Sequence, residues 1–120
     1  MIWLMVVIGG IAGAPARYLV DAAVSRLTAP SSLPWGTIVV NVVGSAVLGA
    51  LAALMTHAQW QGLVYAAAGT GFCGAFTTFS AFTWETLALA EDGRPVAAAA
   101  NVVMSLGLGL AAAAAGFLLL

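Results

Sequence analysis

Apolar residues run along this chain in long blocks, and the polar interruptions between them are short. The first block spans residues 2–27, softened by Gly9, Gly10 and Gly13 and then marked by Arg17 and Asp21. Further blocks cover residues 35–55, 62–90 and 96–120. A helix needs about 20 mostly apolar residues to cross the hydrocarbon of a bilayer. The pattern therefore predicts four transmembrane helices. Residues 28–34 have turn chemistry, with Pro30, Ser31, Ser32 and Pro34; residues 56–61 are polar; residues 91–95 hold most of the loop charge. Connections this short make neighbouring helices antiparallel. Trp3, Trp35 and Trp60 fall near predicted span ends and Trp84 within two turns of one, as expected of an aromatic belt at the membrane interface.

Charge sharpens the picture. Only 6% of the 120 residues are charged and the mean hydropathy is +1.11, whereas a soluble domain carries roughly 25% charged residues. The seven are Arg17, Asp21, Arg26, Glu85, Glu91, Asp92 and Arg94. Such a chain cannot build a soluble surface and is expected to be one all-α transmembrane domain over residues 1–120. Its net charge of −1 offers no basic footprint for nucleic acid. Cys73 is the single cysteine, so no internal disulfide forms. No positive segment precedes the first apolar run, so that run is expected to stay as a span rather than be removed as a signal peptide, despite the small residues Ala12, Gly13 and Ala14. Arg26 and Arg94 fall on one side of the membrane, the termini and His57 on the other. A bias of two arginines, with Glu91 and Asp92 beside one of them, leaves either one-way insertion of low fidelity or insertion both ways.

The 14 glycines include the small-residue pairs Gly9/Gly13 and Ser45/Gly49, with Ser105/Gly109 a third. Such pairs let helix backbones approach closely in lipid, within a subunit or between subunits. Four short helices enclose little space, so a pore or cavity calls for an oligomer.

Polar groups at membrane depth cost free energy and mark candidate function. Asn41 shares a helical face with Gly44 and Ser45. It is either an interhelical glue or a donor replacing water around an ion. Gly74, Thr77 and Thr78 make a poor helix centre, which predicts a break near residues 74–78. Irregular backbone at that depth needs burial or a polar cavity. Its freed carbonyls suit a cation and its freed N–H groups an anion. Phe79 and Phe82 share a face, flanked by Thr78 and Glu85. They are core packing, or they line an anion path with the positive edges of their rings. Asn101 and Ser105 extend a polar track or join helices. The run Gly69-Thr70-Gly71-Phe72-Cys73-Gly74, with Glu91 further on, fits a dinucleotide fingerprint in spacing only, because no strand–helix–strand unit surrounds it. His57 stands alone, which supports neither a metal site nor an enzyme's catalytic pair.

Nearly the whole chain resembles the Fluc fluoride channels, also called CrcB proteins, most specifically in three segments that follow in order. They are residues 9–18 around Gly9, Gly13 and Arg17, residues 36–45 around Asn41, and residues 71–82 around Gly74, Thr77, Thr78, Phe79 and Phe82. The resemblance implies a multi-pass protein of the cell inner (plasma) membrane that exports fluoride passively. It implies a dual-topology, antiparallel homodimer with two fluoride pores. It also implies a central structural Na⁺ held by the backbone carbonyls of Gly74 and Thr77. Phe79 and Phe82 match pore-lining phenylalanines and Asn41 a pore amide. Thr78, Ser80, Glu85, Asn101 and Ser105 are candidates for a polar track beside the pore. Arg17 matches an arginine of the aqueous vestibule. Ala75, Ala81 and Asn101 depart from the family pattern, which has a second Gly, a Ser or Thr, and an aromatic hydroxyl there. Fluoride is small and strongly hydrated, so a pore must replace its water with several close donors. Hydrogen fluoride enters cells as a neutral acid, so a passive channel suffices for export. Two rivals stand beside this reading. One is a small multidrug-type proton-coupled transporter, for which Asp21 is the candidate membrane acid. The other is a non-transporting helical subunit of a larger complex.

Overall fold

The computed structural model describes residues 1–28, 33–58 and 62–119. Trp60, the centre of the first connection and the end of the second lie outside the described residues. The elements are α1 (Ile2–Thr28), α2 (Trp35–Ala58), the single turn α3 (Gly62–Tyr65), a π-helix (Ala66–Cys73), the short α4 (Gly74–Phe76), α5 (Ser80–Glu91) and α6 (Pro95–Leu119). No strand occurs among the described residues. Among the described residues, three helices are long and apolar enough to cross a membrane: α1, the 35–55 part of α2, and α6. The third apolar block of the sequence is not one regular helix. It divides between the α3–π-helix–α4 segment and α5. The molecule extends 48 × 28 × 23 Å, and its long axis matches a bilayer of about 40–45 Å with headgroups.

Two seams hold the fold. In the first, α1 lies on the π-helix. A Cβ on Gly9 would overlap the Ala67 carbonyl oxygen, and one on Gly13 the Phe72 carbonyl oxygen. Gly71 faces back toward α1, where a Cβ would come 2.6 Å from the Val6 oxygen. In the second, α2 lies on α6. Gly49 meets the Ala113 carbonyl and Gly116 the Ala46 carbonyl, while a Cβ on Gly109 would stand 3.6 Å from Ser45 Oγ. Residues from all three small-residue pairs thus serve packing within one chain. Lipid tails are as apolar as leucine, so close backbone approach, not water exclusion, supplies the attraction between such helices.

The turn from α5 to α6 has a simple origin. Gly93 adopts φ 74°, a left-handed conformation open to glycine. The Gly93 N–H donates to the Ala90 oxygen and the Arg94 N–H to the Leu89 oxygen, which closes the helix end. Pro95 then opens α6, where its missing N–H costs nothing. The buried apolar side chains include Ile38, Val40, Cys73, Phe76 and Phe82. Most large apolar side chains face outward instead, among them Trp3, Leu19, Phe79, Val103 and Leu110.

Candidate functional site

Helical structure stops at Phe76 and resumes at Ser80, and the polar residues of the chain converge on the gap. Thr77 is extended, at φ −81° and ψ 160°. Its N–H and its hydroxyl both donate to the Cys73 oxygen, at 2.9 and 2.8 Å. Thr78 is taken up by a side chain of α2. The Thr78 N–H donates to Asn41 Oδ1 at 2.8 Å, and Asn41 Nδ2 donates to the Thr78 oxygen at 2.9 Å. One amide thus satisfies both backbone groups of one residue, which apolar surroundings would otherwise penalise. Gly44, three residues along α2, makes the approach possible, since a Cβ there would overlap Thr77 Cγ2.

The gap interrupts the helical ladder, and Gly74 and Thr77 are among the residues whose carbonyls lose their helical partners. In a continuous helix Thr78 N–H would serve the Gly74 oxygen and Ala81 N–H the Thr77 oxygen. Thr78 N–H goes to Asn41, and Ala81 N–H goes to Thr78 Oγ1 at 3.2 Å. Thr78 Oγ1 thereby caps the start of α5, with Ser80 Oγ 3.3 Å away.

Phe79 stands at the gap with 75% of its surface exposed, while Phe82 in α5 is 9% exposed. Their ring centroids lie 5.9 Å apart and their planes meet at 48°. Both rings line a groove of about 340 Å³, together with Asn41, Ser45, Thr77, Thr78 and Ser105 and an apolar floor of Leu48, Leu106, Leu110 and Ala113. No charged side chain lines it. A second cavity of about 220 Å³ is lined by Arg17, Tyr18, Asp21, Thr37, Val40, Thr78 and Ala81. Thr78 borders both spaces.

The structure therefore brings Asn41, Thr78, Phe79, Phe82 and Ser105 to one groove. Thr77 joins them, and Arg17 occupies the neighbouring cavity. Ser80 is exposed beside Thr78, and Gly74 is exposed with nothing within 4 Å of a Cβ built on it. Two candidates lie elsewhere. Glu85 accepts a hydrogen bond from the Thr37 hydroxyl, and Asn101 is 1% exposed, holding Thr86 and Ser105. Thr37 and Thr86 escaped the sequence reading. Thr37 had a signal, one turn before Asn41 on the same face; Thr86 had none beyond lying next to Glu85. Asp21 sits against the start of α2, where a Cβ on Gly36 would overlap its carboxylate. A helix N-terminus favours negative charge, and Ser25 Oγ adds a hydrogen bond at 3.3 Å.

The fold and this geometry define a class: a small helical membrane protein whose third apolar segment is interrupted and whose polar side chains serve the interruption. Residues 4–117 match the family described as CrcB-like protein, Camphor Resistance (CrcB), and the chain belongs to that family. A protein of Nocardia farcinica named fluoride-specific ion channel FluC 1 is 50% identical over 109 residues, covering 90% of this chain and 72% of that one. FluC 1 of Streptomyces avermitilis is 44% identical over 116 residues, covering 97% and 93%. FluC 2 of Mycobacterium tuberculosis H37Rv is 47% identical over 115 residues, covering 96% and 87%. These relatives are named as channels, not as enzymes.

Proposed function

We propose that this chain forms a fluoride channel of the plasma (inner) membrane, built from two antiparallel copies with two pores. The observation that carries the reading is the uncharged groove in which Asn41, Thr78, Phe79 and Phe82 meet at the helix interruption. Fluoride leaving water needs several close donors, and neutral dipoles can hold it without trapping it as a fixed Lys or Arg would. Asn41 has one Nδ2 hydrogen on the Thr78 oxygen, which leaves its second for an anion. The edges of the phenylalanine rings carry partial positive charge. In a single chain this groove is open along its side and Phe79 is exposed. A second copy would close it. The positive bias between the two sides is only two arginines, Arg26 and Arg94, which suits insertion in both orientations.

A structural sodium fits the same reading. The Gly74 and Thr77 carbonyls have given up their helical partners, and two copies would present four such oxygens to a hard cation. When bound there, sodium would supply the positive charge that ties the two interruptions together.

The test is anion efflux from liposomes holding the purified protein. The wild type is expected to pass fluoride far faster than chloride, at a rate indifferent to an imposed proton gradient, and Phe82→Ile and Asn41→Asp are expected to be strongly impaired. Equal chloride flux, or no fluoride flux, overturns the reading.

A further inference from the structure

Thr86 and Asn101 line neither cavity, yet they join two residues that line the groove. The Thr86 hydroxyl donates to the Phe82 carbonyl oxygen at 2.8 Å. Its single hydrogen is then committed, so its oxygen can only accept. Asn101 must therefore turn its Nδ2 toward Thr86, which it does at 2.8 Å. Asn101 Oδ1 is left facing Ser105, whose hydroxyl donates to it at 3.3 Å. The direction of every link follows from the first. The chain of bonds runs from Ser105 on α6, through Asn101 and Thr86, to the turn of α5 that carries the Phe82 ring.

We infer that Asn101 and Thr86 are positioning residues: they hold Phe82 and keep Ser105 at the groove wall, and they do not themselves contact the conducted ion. Two observations converge on this. Asn101 is 1% exposed, lines neither cavity and has each end of its amide on a neighbouring side chain, so burial keeps an ion in the groove from reaching it. Glu85 and Thr86 are adjacent on α5 and reach opposite ways, Glu85 to Thr37 on α2 and Thr86 to Asn101 on α6. Lying three and four residues past Phe82, they pin the turn beneath its ring and limit rotation of α5. The link at Ser105 is the longest of the three. An anion in the groove competes there with Asn101 Oδ1 for one hydrogen, so Ser105 donates to the groove only by leaving Asn101.

The inference rests on the fluoride reading, and the experiment separates the two. Fluoride and chloride efflux are measured for the wild type and for Thr86→Val, Thr86→Ser, Asn101→Leu and the double variant Thr86→Val/Asn101→Leu, all checked for an unchanged size-exclusion profile. Thr86→Val and Asn101→Leu are expected to lower fluoride efflux about tenfold each, the typical consequence of stranding a buried partner. Thr86→Ser keeps the hydroxyl and is expected to stay within about twofold of wild type. The double variant is expected to match the worse single, because one chain of bonds is broken only once. Wild-type rates in both valine and leucine variants, a Thr86→Ser as slow as Thr86→Val, or strictly multiplied losses in the double would each overturn the inference. A wild type silent to fluoride sinks the channel reading alone. The relay is then judged by hydrogen exchange of the Asn101 side-chain amide in the same protein, expected slow in the wild type and fast in Thr86→Val; equal exchange in both overturns it.

Discussion

Along the α1 seam with the π-helix, and again between α2 and α6, the backbone hydrogen-bonds within its own helices and glycine brings neighbouring carbonyls into contact. At residues 77–79 the backbone leaves its helix and a side chain from another element completes it. The first arrangement works by having no side chain at the contact; the second works by having one particular side chain. Both satisfy the same demand, that polar backbone in hydrocarbon find partners inside the protein. The seams make a rigid frame, and the interruption borrows that frame through Asn41. A polar gap is thereby held open with no charged side chain lining its groove.

The comparison is tested most severely at the seams. Gly49→Val would drive a Cβ into the Ala113 carbonyl and Gly9→Val into that of Ala67. Backbone cannot rotate away as a side chain can, so each is expected to cost at least the 1–3 kcal/mol, roughly, of ordinary overpacking. Size-exclusion and thermal unfolding in detergent should show loss of folded protein. Asn41→Leu is the contrasting change. It removes the partners of the Thr78 N–H and carbonyl, but Thr78 is only half-buried and lines the open groove, where water can replace them, so the total is expected at the low end of about 1–3 kcal/mol, with both seams intact. The protein is expected to remain folded, with fluoride efflux lowered at least about tenfold and faster hydrogen exchange at the Thr78 amide. An Asn41→Leu protein as thoroughly unfolded as Gly49→Val would show that frame and gap are not separable.

Smaller effects sharpen the boundary. Thr37→Val keeps the shape of a buried residue and removes the hydroxyl that donates to Glu85. One net hydrogen bond is about 1 kcal/mol, so fluoride efflux is expected to fall roughly fivefold with the unfolding temperature little changed. Gly107→Ala should do nothing to either readout, because no atom lies within 4 Å of a Cβ built there. A large effect at Gly107 would mean that glycines matter here for reasons other than the contacts at the two seams.

How far the sequence could be read differs by residue. Gly9, Gly13 and Gly49 announced close packing by their spacing, but not which helix each would meet. Asn41 announced a polar group at depth and left open whether it glued helices or faced an ion; the structure commits one donor and the acceptor of its amide to Thr78. Asn101 and Ser105 looked like equals, four residues apart on one face. Only Ser105 reaches the groove, because Asn101 is turned inward by a threonine on α5 whose hydroxyl is already committed. The π-helix had no legible signal, since its residues Ala66–Cys73 are small and apolar like those of the regular helices around it.

Length and composition determined by themselves that this chain lies in a membrane as helices: too few charges exist to solvate a surface, and hydrocarbon tolerates only backbone that is bonded internally. They also determined which polar residues would be stranded there. Which partner each one found was decided by tertiary structure alone. A hydrogen bond depends on positions good to a few tenths of an ångström between helices far apart in the chain, and no spacing along a single helix carries that distance.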